Sequence, residues 1–190
     1  MSTDSPPIEE TPLRADAARN RERILEAADE VFSERGADAS LDDIARRAKV
    51  GIGTLYRRFP TRDALLAALC NDRLLALSAR SRSRDDSMDP GASVRAFTVE
   101  LAIHAGYYQG LATMLGAVLQ SDTAGCRAGR AEGIRLLERA KKAKAIAEDV
   151  SFEDVLCVIT ATSLAAAQGG SLEPRVTHLV DLFFNGIKRR

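Results

Sequence analysis

The chain has 190 residues, 45% apolar and 28% charged, which is enough to bury a core without disulfide or metal staples. No apolar run reaches the roughly 18 residues that would cross a membrane, and "MSTDSPPIEETP" lacks the basic and apolar regions of a secretory signal, so a cytoplasmic protein is expected. Its 27 Lys and Arg balance 27 Asp and Glu, which argues against indiscriminate coating of nucleic acid and shifts attention to local segregation of charge.

Residues 1–16, acidic and Pro-containing, read as a disordered tail. From residue 18 onward apolar residues recur at helical spacing and period-two alternation is almost absent, so the chain is predicted to be all-α. A first helix spans about 18–35, with Ile24, Ala28, Val31 and Phe32 as its apolar stripe and Gly36 as its stop. "SLDDIARRA" opens a second. Ser40 is its N-cap, Asp43 three residues on completes a capping box, and Leu41, Ile44, Ala45 and Ala48 supply the inward face. The turn "KVG" leads to a third helix of about two turns with Leu55 and Phe59 inward. Pro60 ends it, and Thr61 caps a fourth helix running towards Arg80.

"SRSRDDSMD" reads as a loop, after which Asp89 and Pro90 suit the N-cap and first position of a fifth helix. Further helical segments are expected at about 90–105, 107–120, 127–147, 152–168 and 173–188, the middle ones interrupted by glycines. "VLCVITAT" is β-branched enough for a strand, but a Ser151–Asp154 capping box precedes it and the apolar run continues, which favours helix. Two domains are expected, 17–62 and 63–190.

Between Ile44 and Arg62 there are six basic residues (Arg46, Arg47, Lys49, Arg57, Arg58 and Arg62) and no acidic one. Two short helices joined by a Gly-containing turn, the second exposing small, aromatic and basic residues, are what a helix-turn-helix DNA reader requires. Thr54 and Tyr56 offer hydroxyls to phosphate oxygens, and Gly51 and Gly53 let the backbone approach the duplex. Arg57, Arg58 and Arg62 can neutralise phosphates or reach a guanine edge. The competing reading of the patch is a solvated helix face.

The stretch "VFSERGADASLDDIARRAKVGIGTLYRRFPTRDALL" closely resembles the DNA-binding region of the tetracycline-repressor (TetR) family of bacterial transcription regulators, the match covering about residues 20–66. It departs at Lys49, where Gly is usual, and at Gly51, where Ser is common. By position, the resemblance implies phosphate contacts for Ser40, Thr54, Tyr56 and Arg62, and a groove-facing edge of Gly51, Ile52, Gly53, Tyr56 and Arg57. Lys49 could add a phosphate contact of its own. The resemblance also implies a homodimer on a palindromic operator in double-stranded DNA, most often a repressor, released by a small-molecule effector bound in a helical C-terminal domain. The fourth helix would be the lever, through Leu65, Leu66 and Leu69.

The segment 152–168 is apolar or small nearly all round, and the last helix has an apolar face of Val176, Leu179, Val180, Phe183 and Ile187. With Phe152, Val155 and Ile159 these residues suit a four-helix dimer interface. His104 lies on a stripe with Val94, Phe97, Leu101 and Tyr108, as an effector contact or a core histidine. Phe97, Tyr107, Tyr108, Met114 and Cys126 either line an effector pocket or fill the core. Arg14, Arg19, Arg21 and Arg23 reach towards DNA as an arm or solvate the start of the first helix. Cys70, Cys126 and Cys157 form no CxxC pair and read as buried thiols. No metal spacing, phosphate loop or nucleophile motif is present, so no enzyme, cofactor or metal site is expected. A helical protein-interaction module, or an activator without effector control, is the alternative.

Overall fold

The computed structural model describes residues 12–167 and 171–187, without the side chains of residues 12–15 and 187. Those residues form nine helices and no strand: α1 (Pro12–Arg35), α2 (Leu41–Arg47), α3 (Ile52–Arg58), α4 (Arg62–Ser83), α5 (Pro90–Ala105), α6 (Leu111–Gln120), α7 (Ala124–Lys142), α8 (Phe152–Ala166) and α9 (Leu172–Ile187). The all-α expectation holds. Helix α1 starts six residues before its apolar periodicity, so 12–16 are helical rather than tail, and residues 1–11 and the Arg14 side chain lie outside the described residues. Helix α6 starts later than expected, because Gly110 takes a left-handed φ of 86° and turns the chain over residues 106–110.

Helices α1, α2 and α3 close around Ile24, Ala28, Phe32, Ile44 and Leu55, all fully buried. Ser40 caps α2, its Oγ accepting from the Asp42 amide at 3.2 Å. The expected reciprocal bond from Asp43 is not made, because its carboxylate pairs instead with Arg35 (2.6 Å) and Arg46 (2.5 Å). The Ser151–Asp154 box before α8 forms in full. Thr61 caps α4, accepting from the Ala64 amide at 3.1 Å, and Asp89 caps α5 ahead of Pro90.

Helix α4 begins four residues after α3 ends and runs from the first three helices into the remainder. Leu65 and Leu66 are buried near its start; Leu74 and Leu77 are buried further along. Helix α7 lies along α4 in the same direction, brought close by Gly125 and Gly129, four residues apart. A Cβ on Gly125 would stand 2.2 Å from the Asn71 carbonyl oxygen, so the two backbones touch. Gly133 leaves room for the ring of Phe152, which closes α8 onto α7.

Beyond this crossing, Glu132 is fully buried and accepts from Ser81 Oγ (2.7 Å), Arg82 Nε (3.0 Å) and Arg135 Nη2 (2.7 Å). Burial pushes the Glu132 carboxyl up, but the hydrogen bonds from Arg135 and Ser81 outweigh it and hold the group below the ordinary carboxylate range. Asp85 accepts from Arg135 and Arg139, extending the network to the end of α4. Helix α5 packs against α7, α8 and α9, and α8 packs on α9.

Candidate nucleic-acid interface and the region that bears on it

Helix α2 ends in a Schellman turn: the Lys49 amide donates to Arg46 O (3.1 Å) and the Val50 amide to Ala45 O (3.0 Å). Lys49 occupies the left-handed position of that turn, with φ 55°. The turn delivers Gly51 as the N-cap of α3, which anchors itself through Leu55 (0% exposed) and Phe59 (5%). The other side of α3 is open. Lys49, Gly51, Ile52, Gly53, Tyr56, Arg57 and Arg58 are exposed, Tyr56 at 49%, and Thr54 is half-buried. A Cβ at Gly51 or Gly53 meets nothing within 4 Å, so neither glycine is required by packing inside the chain.

The six basic residues separate into committed and uncommitted ones. Arg46 pairs with Asp43, and Arg47 with Glu34 (2.7 Å) and Glu30 (3.5 Å). Arg58 donates to the Ala17 carbonyl at 3.0 Å. Arg62 is half-buried and donates to the carbonyls of Ala37 (2.7 Å) and Ala39, so it fastens the α1–α2 loop instead of standing free for a phosphate. Among the described residues, the side chains of Lys49, Tyr56 and Arg57 make no hydrogen bond or ion pair. Ser40 is exposed but already serves as the α2 cap. Of the N-terminal arginines, Arg19 pairs with Asp16, Arg23 donates to Lys49 O at 3.3 Å, and Arg21 lies 6.0 Å from the Phe59 ring centroid. Arg19 is thus paired within α1, whereas Arg21 and Arg23 reach from α1 to the end of α3 and to the turn before it.

The first three helices meet the rest at the α5–α6 turn. The Ala37 amide donates to Gln109 O at 2.7 Å, and Gly36 (φ 83°) sits so close that a Cβ would be 2.7 Å from the same oxygen. Tyr108, buried to 1% exposure, donates its hydroxyl to Asp29 of α1 and packs edge-on to Phe32. Burial, then the bond to Asp29, pushes the phenol pKa well up. Arg73 of α4 lies over the Tyr107 ring, 3.7 Å from its centroid, and stands 3.7 Å from Asp29.

Behind this junction a small cavity lies between α4, α5 and α6, walled by Leu74, Leu101, Leu111 and Leu115 and bordered by Arg73 and His104. It has room for about one water, at about 10 Å³. His104 is half-buried, and its pKa is lowered by burial and then by Arg80 and Arg73. Of the residues nominated from sequence as pocket candidates, only His104 borders this cavity. Phe97 and Cys126 are core, Met114 packs against the core, Tyr108 belongs to the junction and Tyr107 is 53% exposed. Arg73, a lone arginine among the apolar residues of "LLAALCNDRLLAL", also borders the cavity. A larger open cleft of about 430 Å³ lies at the far end, beside Arg95, Lys144, Asp181 and Phe184.

The residues expected at a dimer interface differ in how far their own chain covers them. Phe152, Val155, Ile159, Val176 and Val180 are buried inside their own chain, because α8 rests on α5 and α6 while α9 rests on α5 and α8. Side chains already covered have no surface to give a partner. Leu179 and Phe183 are half-buried, and the Ile187 side chain lies outside the described residues. Among the described residues, the exposed apolar side chains of α8 and α9 are Cys157, Ala161, Leu164 (40%), Ala165 and Leu182 (57%). No described helix is long and apolar enough to cross a membrane.

The family model described as "Bacterial regulatory proteins, tetR family" matches residues 24–69. That of the "Transcriptional regulator SbtR-like, C-terminal domain" matches residues 89–189. The crystal structure of the TetR transcriptional regulator SCO0520 from Streptomyces coelicolor is similar at 31% identity and a TM-score of 0.53, over 88% of this chain and 98% of that one. Thermus thermophilus FadR, in complex with lauroyl-CoA, shares the fold at 23% identity and a TM-score of 0.58, over 90% of this chain and 96% of that one. RolR in complex with resorcinol shares it at 18% identity and a TM-score of 0.64, over 92% and 90%. Among curated proteins, the HTH-type transcriptional regulator SAUSA300_2515 of Staphylococcus aureus (strain USA300) is 43% identical over 54 residues, 28% of this chain and 29% of that relative.

Proposed function

The chain belongs to the TetR family of bacterial regulatory proteins, and from that membership we propose that this DNA-binding transcription regulator is a homodimeric, cytoplasmic repressor released from a palindromic operator by a small-molecule effector. The observation that carries the DNA contact is the state of α3. Lys49, Tyr56 and Arg57 are exposed and uncommitted, and Gly51 and Gly53 have no packing reason inside the chain. Glycine in a helix costs about 1 kcal/mol relative to alanine, so an exposed Gly53 with free space around it makes sense where an outside surface comes close. Residues 17–62 would read DNA, with Ile52, Gly53, Tyr56 and Arg57 towards the groove and Ser40, Lys49, Thr54 and Arg58 towards phosphates. Residues 63–190 would dimerise and hold the effector.

Dimerisation would use the open edge of α8 and α9 around Leu164 and Leu182, and the effector would enter the cavity between α4, α5 and α6. The fold suits such a role, since its relatives hold resorcinol and lauroyl-CoA. An effector lowers operator affinity only by its preference for a form that does not fit DNA. Helix α4 can carry that preference, because it borders the cavity and also packs under α1 through Leu65 and Leu66. Footprinting on genomic fragments selected by the purified protein tests the proposal. Two symmetric half-sites about one helical turn apart are expected. Protection of one unsymmetrical stretch, or of all DNA alike, would count against it.

A further inference from the structure

Helix α1 begins at the edge of the open face of α3. Arg58 of α3 donates to the Ala17 carbonyl of α1 at 3.0 Å, and a cleft of about 390 Å³ runs between Asp16, Ala17 and Asn20 on one side and Thr54, Arg57 and Arg58 on the other. Asp16 is paired with Arg19, and among the described residues Arg57 has no acidic partner there. The rest of the face has a definite pattern. Ile52 (37% exposed) and Tyr56 (49%) leave apolar surface in water, flanked by two uncommitted cations, Lys49 before the helix and Arg57 in its last turn.

The segment that leads into α1 carries the opposite pattern. Residues 1–11, "MSTDSPPIEET", hold Asp4, Glu9 and Glu10 and no Lys or Arg, and between the acids stand Pro6, Pro7 and Ile8. We propose that this segment docks along the open face of its own α3, with Glu9 and Glu10 meeting Arg57, the Pro-Pro-Ile run covering Tyr56 and Ile52, and Asp4 meeting Lys49. The reach is sufficient: Asp4 and Glu9 are five residues apart, up to about 17 Å when extended, and the 7 residues of α3 are about 10 Å long. Two consecutive prolines favour an extended run, which suits an exposed aromatic ring. The acids then occupy the cations that would otherwise take phosphates, so the segment competes with DNA. This rests on the DNA-reading assignment of α3 and adds a regulation of that same face. Exposed ion pairs are individually weak, so the segment is displaced by an operator, whereas contact with arbitrary DNA has little affinity to spare.

The test compares the full chain with a full-length variant carrying Asp4→Asn, Glu9→Gln and Glu10→Gln. Without DNA, the amide resonances of Gly51 and Gly53 are expected to differ between the two proteins at about 50 mM salt and to coincide near about 0.5 M, where charges are screened within a few ångströms. On a duplex of arbitrary sequence, the variant is expected to bind about threefold to tenfold more tightly at the lower salt, with a slope of log affinity against log salt steeper by about one to two. Unchanged glycine amides would overturn the docking even if DNA binding tightened, since acids that merely repel phosphates give that result alone. Shifted amides with unaltered DNA affinity would overturn the competition. Amide differences that grow with protein concentration would assign the face to the segment of another copy and overturn docking within the chain. The amide comparison uses no DNA, so it stands apart from the regulator reading, which fails if a footprinted operator and a shuffled duplex bind alike.

Discussion

At Lys49 the backbone takes a φ of 55°, a conformation that a side chain with a Cβ adopts at a cost of about 1 kcal/mol and glycine adopts freely. The usual glycine of the family pattern thus has a conformational reason, and the lysine here keeps its exposed ammonium at that expense. Lys49→Gly is expected to raise stability by about 1 kcal/mol, or about 2–4 °C in Tm. The same variant should lower the slope of log affinity for DNA against log salt by about one. A variant that is more stable and binds with an unchanged salt slope would show that Lys49 touches no phosphate. The sequence disclosed Lys49 as an exception without giving the reason, because φ is not written in residue identity. Arg62 shows the same limit. Its place in the motif reads as a phosphate contact, but its guanidinium is occupied by the carbonyls of Ala37 and Ala39. Arg62→Ala should therefore destabilise the fold by about 1–2 kcal/mol, visible in a denaturant titration without DNA.

Among the elements, α3 was the most legible and α8 and α9 the least. The limits of α3 follow from local chemistry, the Gly51 turn before it and Pro60 beyond its end, and the expected helix of about two turns is found as Ile52–Arg58, 7 residues. Which side of α8 faces its own chain depends on where α5 and α6 lie, and a helix that is apolar nearly all round carries no periodicity to say so. In the sequence the glycines of α7 look like interruptions, yet Gly125 and Gly129 are its contact with α4 and Gly133 its contact with Phe152, a role set by distant partners. Gly53→Ala separates fold from function at α3: with open space at its Cβ it should leave stability unchanged or raised by up to about 1 kcal/mol while operator binding weakens. At the α4–α7 contact, Glu132 ionises more readily folded than unfolded. Its contribution is present above the unfolded carboxylate pKa and is lost as pH falls through the lower folded value. Glu132→Gln should cost about 2–3 kcal/mol at neutral pH and flatten the acid limb of the stability–pH profile, followed by urea unfolding at several pH values.

For the molecule as a whole, the proposed homodimer would present two α3 helices to the operator at a fixed spacing, which would couple dimer contacts to DNA affinity. Leu182, 57% exposed on α9, is where the open edge of α8 and α9 is most easily broken. Leu182→Glu is expected to yield a folded monomer in analytical ultracentrifugation and to weaken operator binding about a hundredfold or more, because the half-sites are no longer linked. The central claim is that the exposed face of α3 reads a DNA sequence. Fluorescence anisotropy of the full chain on a footprinted fragment and on a shuffled duplex of equal length, at near-physiological salt, tests it directly. A preference of about a thousandfold or more, lost in Tyr56→Ala and Arg57→Ala variants that remain folded, is predicted. Equal, salt-sensitive binding to both duplexes would contradict it.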